Sequence, residues 1–143
     1  LKGWQTYLGP TKGFDEMVFN LVPYSDAEGN TLAVLNNKAG SAGVAVGYNT
    51  KQLPVLTLWK NTDTRAQGYV TGIEPGTSYA YSTKYQRPLG LVPKIQPGET
   101  KTFDLTYRLL RNGEEVKQAL AQVEKIQDGR PTELWKQPLV KLP

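Results

Sequence analysis

Short stretches in which apolar and polar residues alternate run through most of this chain, with turn residues between them. In the longest of these stretches, residues 100–110, apolar side chains occupy every second position: Phe103, Leu105, Tyr107 and Leu109. A period of two places successive side chains on opposite faces of a β-strand, whereas a helix requires a period of 3.6. About seven such strands with Pro/Gly turns between them predict an all-β sandwich or barrel.

The expected strands follow from this alternation. They cover residues 15–22, 31–36, 44–48, 55–60, 67–74 and 100–110, with a brief pairing at Leu91 and Val92. Residues 26–30 have the composition of a hairpin loop between the first two strands. The sequence Glu74-Pro75-Gly76-Thr77 has proline and glycine where a type II turn prefers them. We expect residues 78–90 to form an irregular loop.

The period changes after residue 113. Val116, Ala119, Leu120, Val123 and Ile126 lie at helical spacing, so the sequence predicts one C-terminal helix over residues 114–127, with Asn112 or Gly113 as its cap. The pair Asn112-Gly113 also fits a hairpin turn, but the pattern that follows favours the helix. Residues 130–143 are expected to form a surface tail. The whole chain, 1–143, is interpreted as one β-sandwich domain or as the C-terminal part of a larger one.

The composition excludes several kinds of chemistry. The chain contains no cysteine and no histidine, so disulfides, thiolate nucleophiles, Ser-His-Asp triads and imidazole metal sites cannot be built from it. Any acid–base chemistry within the chain depends on Asp, Glu, Lys or Tyr. The acidic residues do not have the spacing of a calcium loop, and no phosphate-binding glycine motif is present. We therefore expect neither a metal nor a cofactor.

The charge and hydropathy patterns favour neither a nucleic acid nor a membrane as a partner. The net charge is +4, but the basic residues are scattered instead of forming a stripe with interleaved aromatics, so no nucleic-acid partner is expected. No run approaches the ~18 apolar residues of a membrane span. Because the chain begins at Leu1 and not at a methionine, we expect that an upstream segment belongs to the same protein.

Two apolar stretches end in polar and aromatic residues and form the candidate site. One runs from Leu53 to Asn61 and contains Trp59-Lys60, and the other runs from Tyr69 to Thr77 and contains Glu74. If both strands end at the same side of a sandwich, Trp59, Lys60 and Glu74 line a common cleft.

The order of these motifs resembles a known superfamily. The string Val70-Thr71-Gly72-Ile73-Glu74-Pro75-Gly76-Thr77, preceded by Leu-Pro-x-Leu-x-x-Trp-Lys and followed by Pro97-Gly98-Glu99, is similar to the C-terminal half of galactose mutarotase-like proteins. It is most similar to an aldose 1-epimerase-related branch, which the upstream string Gly13-Phe14-Asp15-Glu16-Met17-Val18-Phe19 also resembles. The resemblance covers roughly residues 10–110. It implies a twisted β-sandwich about twice as long as this chain, which binds aldoses on a concave sheet.

The resemblance also implies roles for particular residues. In the well-studied epimerases the glutamate of the Glu-Pro motif is the general base, which corresponds to Glu74. Trp59 or Tyr79 would stack on the apolar face of a sugar ring. Lys60 would contact a hydroxyl, a phosphate or a carboxylate of the sugar, and Thr77 is a further expected sugar contact. Those enzymes use an upstream histidine as the general acid. Since this chain has none, we expect the acid in a missing N-terminal half of the same protein, unless another group replaces it or the protein binds a sugar without turnover.

Other interpretations of the same residues are structural. Glu74 beside Pro-Gly fits a solvated turn residue, Trp59 fits packing at a strand end, and Lys60 fits a charge protecting a strand edge. Thr77 and Tyr79 also fit ordinary turn positions. The function expected from the resemblance is anomer interconversion of an aldose, and the alternatives are a non-catalytic carbohydrate-binding β-sandwich or a structural domain.

Overall fold

The computed structural model describes residues 3–135, which form two compact units. The first unit contains the N-terminal segment up to Val22 together with Val55–Lys94, and the second contains Pro23–Pro54 and Ile95–Thr132. The strands are β1 (Met17–Leu21), β2 (Asn30–Asn36), β3 (Gly43–Asn49), β4 (Val55–Asn61), β5 (Val70–Gly76) and β6 (Leu105–Leu110). The helices are α1 (Thr83–Gln86) and α2 (Gly113–Gln127), and single 3₁₀ turns occupy Arg65–Gln67 and Arg87–Leu89.

The sheet of the first unit has the order β1-β4-β5, with both pairings antiparallel. β4 lies in the middle and is apolar through Val55, Leu56 and Leu58, as expected for a strand with a neighbour on each side. Its register pairs Leu58 with Phe19 of β1 and with Ile73 of β5. This register places Trp59, Lys60 and Glu74 each on a defined face of the sheet.

The sheet of the second unit has the order β2-β3-β6, again antiparallel, and α2 packs on one of its faces. Val116 and Ala119 of the helix form a buried cluster with Ala45 and Leu110, and Leu32 and Val34 pack against it. Ala119 is fully buried, so the helix approaches the sheet at a position where only a small side chain fits. On β6, in contrast, Tyr107 and Leu109 are 68% and 70% exposed.

The sequence of α2 explains both of its ends. At the N-terminus, the Asn112 side chain accepts a hydrogen bond from the Glu115 backbone N–H at 2.9 Å, and the Glu115 carboxylate accepts one from the Arg111 N–H at 2.9 Å. These reciprocal bonds satisfy backbone donors that the helix itself leaves unpaired. At the C-terminus, Asp128 adopts a left-handed conformation with φ of 50°, as in common helix C-terminal motifs.

The all-β class with one C-terminal helix is confirmed, and the hairpin alternative at Asn112-Gly113 is wrong.

The predicted hairpin between β1 and β2 is wrong. Residues 26–30 do close a tight turn, in which the Asp26 carboxylate accepts the Asn30 N–H at 2.7 Å. However, β1 pairs with β4 and β2 pairs with β3, so the two strands belong to different sheets. Turn composition is a local property, whereas the pairing partner of a strand depends on residues far away in the sequence.

The predicted type II turn at Glu74-Pro75-Gly76-Thr77 is also wrong. β5 continues through Glu74, Pro75 and Gly76, which lie opposite Thr57, Leu56 and Val55. Proline is tolerated here because β5 is an edge strand, where one side of the backbone needs no partner. Glu74 is therefore a strand residue, and its side chain has a direction fixed by the sheet.

Several boundaries differ from the alternation pattern. Residues 67–69 and 100–104 lie outside the strands, Leu91 and Val92 form no strand, and the expected loop at 78–90 contains α1 and a 3₁₀ turn. The described residues thus form six strands where about seven were expected.

Most of the predicted tail, residues 136–143, lies outside the described part of the chain. Within the described part, none of the helices has the length and apolar character needed to cross a membrane.

The cap of α2 gives a direct test of the helix assignment. Asn112→Ala removes the side-chain acceptor for the Glu115 N–H and should lower the free energy of unfolding by about 1 kcal/mol. The matched control Asn112→Ser restores an acceptor and should stay close to the wild type. Urea denaturation followed by circular dichroism measures both; equal losses for the two variants would show that the cap does not stabilise the helix.

Candidate functional site

The faces of the β1-β4-β5 sheet decide which motif residues can act together. Residues opposite one another across antiparallel strands point to the same face, and neighbours along a strand point to opposite faces. Trp59 lies opposite Gly72 and Val18, and the next row along this face contains Thr57, Glu74 and Asn20. We call the face defined by these six residues the Glu74 face. It contains the catalytic residue expected from the sequence and one of the expected sugar contacts.

The Glu74 carboxylate folds back along its own strand towards Gly72. A Cβ built on Gly72 would lie 2.0 Å from Glu74 Oε1 and 2.9 Å from its Cδ, so the carboxylate fills the space that a side chain at position 72 would occupy. Because Gly72 lies directly opposite Trp59 in the register of β4 with β5, the carboxylate occupies the side-chain position that faces Trp59 across the two strands. Glu74 is exposed, and its carboxylate accepts no hydrogen bond within residues 3–135.

The Trp59 indole is held from the side of β1. Its Nε1 donates a hydrogen bond to Glu16 Oε2 at 3.0 Å, across the β1–β4 pairing. On the other side lies Gly72, which has no side chain to pack on the ring. The ring is half-buried and fixed at its polar end, a common arrangement for a tryptophan that presents an apolar surface.

Lys60 does not join the other site residues, so the expected common cleft of Trp59, Lys60 and Glu74 is wrong. Lys60 lies opposite Met17 and Thr71 on the other face, because it is the strand neighbour of Trp59. Its side chain is 3% exposed. The ammonium group donates to the backbone carbonyls of Gly3 at 2.6 Å and Thr6 at 2.5 Å. Lys60 therefore ties the N-terminal segment to the sheet.

The loop after β5 borders the Glu74 face. The Ala80 N–H donates to Asn20 Oδ1 at 2.8 Å. The loop therefore passes from β5 at one edge of the sheet to β1 at the other edge. Thr57, on the central strand between them, is buried. Thr77 and Tyr79, both expected sugar contacts, belong to this loop and are half-buried. The Tyr79 ring lies 6.1 Å from that of Tyr81, centroid to centroid.

Gln86 of α1 holds this loop in place and was missed by the sequence analysis. Its side chain is 1% exposed. The amide nitrogen donates to the carbonyls of Tyr79 and Tyr81 at 2.9 and 2.8 Å, and its oxygen accepts the Tyr79 N–H at 3.0 Å. All the polar groups of the buried amide thus have partners in the loop. No periodic pattern surrounds Gln86, so this role could not be predicted from the sequence.

Two other residues of the site were detectable in principle. Asn20 is polar within an apolar strand, and its side-chain oxygen accepts the Ala80 N–H as well as a longer bond from Thr57 Oγ1 at 3.4 Å. Glu16 belongs to a motif that carries the family resemblance. The contacts of both residues depend on the pairing of β1 with β4, which the alternation of apolar and polar residues does not predict.

The surroundings of Glu74 are open to solvent, since the apolar residue Val70 on the same strand is 43% exposed. A cleft of about 460 Å³ in the second unit, lined by Asn30, Gln52, Asp104 and Arg108 among others, contains none of the five predicted site residues. Within residues 3–135 no group of three or more acidic side chains is arranged to hold a metal ion.

Comparison with known proteins identifies relatives of the chain. A family model described as a domain of unknown function, DUF4432, matches residues 1–109. A crystal structure from Klebsiella pneumoniae subsp. pneumoniae, of a protein provisionally described as an aldose 1-epimerase, is 52% identical with a TM-score of 0.91. The match covers 96% of this chain and 36% of that protein. A search of curated proteins gave no match. These findings confirm the resemblance to the aldose 1-epimerase-like superfamily and the fold class that it implied.

The anchoring role of Gln86 predicts a stability effect. Gln86→Met keeps much of the side-chain volume but leaves the Tyr79 N–H and the two tyrosine carbonyls without partners, so we expect a loss of roughly 2–4 kcal/mol in the free energy of unfolding. Gln118→Met, at an exposed position of α2, is the control and should change it by less than about 0.5 kcal/mol. Urea denaturation of both variants checks this; a Gln86 variant as stable as the control would contradict the anchoring role.

Proposed function

The chain belongs to the DUF4432 family of domains of unknown function, and we propose that it supplies the general base and the sugar-stacking surface of an aldose 1-epimerase-type active site. One observation carries the proposal: the Glu74 carboxylate lies in the space opposite Trp59, with no hydrogen bond from the described residues. A carboxylate with free lone pairs beside an aromatic ring can accept a sugar hydroxyl while the ring supports the apolar face of the sugar.

The proposed reaction needs two proton transfers at one sugar. Glu74 removes the proton from the C1 hydroxyl while a general acid protonates the ring oxygen, and the bond between C1 and the ring oxygen breaks. The open-chain aldehyde rotates about its C1–C2 bond, and closure on the other face of the carbonyl returns both protons to their donors. The net change is the configuration at C1, so no oxidant, metal or second substrate is required.

The remaining residues of the Glu74 face have supporting roles in this proposal. Glu16 fixes the indole through Trp59 Nε1, and the loop that carries Thr77 and Tyr79 forms the border on the side of Asn20. We place Thr77 and Tyr79 at the edge of the sugar site and not at its centre. Lys60 is outside the proposed site because it lies on the opposite face and is bonded to backbone carbonyls.

The general acid is proposed to come from another part of the same polypeptide. This chain has no histidine, and the other polar groups on the Glu74 face are the Asn20 amide, the Thr57 hydroxyl and the neighbouring carboxylate of Glu16. The chain spans 36% of the length of the Klebsiella protein. On β6, Tyr107 and Leu109 are exposed apolar residues on an edge strand, a surface that further sheet structure of the same polypeptide would cover.

The role of Glu74 is tested by Glu74→Gln in the full-length protein. Gln keeps the shape of the side chain but cannot accept the C1 proton, so the rate of anomer interconversion should fall by at least about 100-fold. The measurement is polarimetry, or NMR exchange between the two anomers, over a panel of aldoses. Glu124→Gln, an exposed carboxylate of α2, is the matched control and should retain full activity. An active Glu74→Gln enzyme would rule out Glu74 as the base.

The stacking role of Trp59 is tested by sugar-induced quenching of tryptophan fluorescence. The full-length protein should respond to the aldose that it converts, and Trp59→Phe should remove most of that response. Trp4→Phe is the control, because Trp4 lies outside the Glu74 face, and this variant should keep the response. Quenching that survives Trp59→Phe and disappears in Trp4→Phe would place the sugar elsewhere.

A further inference from the structure

Gly72 occupies a position where the usual structural reasons for glycine in a strand are absent. Glycine within a strand often marks a β-bulge or a close approach of another backbone segment. The register of β5 with β4 is continuous from Val70 to Gly76, so there is no bulge. The backbone of Gly72 does not have the positive φ that would strain another residue. A Cβ at this position would meet no other backbone segment among its three nearest atoms.

The three atoms nearest to that Cβ position all belong to the Glu74 side chain. They are Oε1 at 2.0 Å, Cδ at 2.9 Å and Cγ at 3.2 Å. All three distances are shorter than an ordinary van der Waals contact, so an alanine at position 72 and the present conformation of Glu74 exclude each other. Because Glu74 is exposed and flexible, its side chain would turn away while the strand stayed in place.

We propose that Gly72 is a positioning residue, which keeps the Glu74 carboxylate beside Trp59 because it lacks a side chain. This inference rests on the proposed function of Glu74 and extends it to a residue that contributes no functional group. Glu74 follows Gly72 by two positions on the same strand face, so the carboxylate can lie over position 72 only while that position is empty. If the Glu74 carboxylate turns away from Gly72, it leaves the position opposite Trp59. The proposed base and the proposed stacking surface then no longer contact the same sugar.

The test is Gly72→Ala in the full-length protein, compared with Gly47→Ala. Gly47 is also a glycine within a strand, but a Cβ there would have only ordinary contacts, at 3.7 Å to Leu32 Cδ1 and 3.8 Å to Thr106 Cβ. Both variants should fold with stability close to the wild type. Gly72→Ala should lower kcat by between about 10-fold and 100-fold, as expected for a misplaced base. Gly47→Ala should leave kcat within about twofold of the wild type.

A double variant separates action through Glu74 from a direct effect on the sheet. If Gly72 acts through the carboxylate, adding Gly72→Ala to Glu74→Gln should cause no further loss of kcat, since the effects of residues acting as a unit do not add. Independent, additive losses would overturn the inference, as would a Gly72→Ala enzyme with wild-type kcat.

The outcomes distinguish this inference from the proposed function. Loss of activity in Glu74→Gln together with full activity in Gly72→Ala would leave Glu74 as the base and remove the positioning role of Gly72. Full activity in Glu74→Gln would remove both. Gly72→Ala could instead lose stability while its kcat stays unchanged and Gly47→Ala stays stable. That result would assign a purely structural role to Gly72.

Discussion

The antiparallel register that holds β4 between β1 and β5 is the constraint on which the candidate site depends. It sets Trp59 opposite Gly72 and Thr57 opposite Glu74, so these side chains share one face. A slip of one residue would exchange the faces and would bring Lys60 towards Glu74 in place of Trp59. The apolar residues Phe19, Leu58 and Ile73 lie together on the opposite face. They favour this register because a slip of β4 would move Leu58 away from the other two and onto the Glu74 face.

The proposed site is open to water within the described residues, and this affects what it can do alone. Electrostatic and hydrogen-bonding interactions with a substrate are weaker when water competes for the same groups, and enzymes of many kinds exclude water before proton transfer. In the proposed function Glu74 and Trp59 bind and deprotonate a sugar, but Glu74 is exposed, and neither the β-strands nor the loop held by Gln86 enclose it. The proposal therefore needs a source for the enclosure of the site as well as for the general acid.

The parts of the structure that could be predicted from the sequence are those determined locally. β2, β3 and β4 follow from alternation or apolar runs, and α2 follows from its period and from Asn112, whose side chain caps the residue three positions later. The pairing of β1 with β4 and the anchoring of a loop by Gln86 depend on residues distant in sequence, which no local pattern reports. Pro75 shows the same limit, because proline signals a turn unless the strand happens to lie at a sheet edge.

Lys60 shows that a sequence motif can combine residues with unrelated roles. It directly follows Trp59, yet its ammonium group is buried against Gly3, Thr6 and the Tyr7 ring, whose centroid lies 4.3 Å from Nζ. Desolvation by burial lowers the pKa of the Lys60 amine, and the two carbonyls and the ring are the partners of the buried ammonium group. A buried charge with these partners contributes to holding the N-terminal segment on the sheet, and it cannot reach a sugar on the Glu74 face. The two adjacent residues of the Trp-Lys motif therefore lie on opposite faces of the sheet, Trp59 on the Glu74 face and Lys60 where the N-terminal segment is attached.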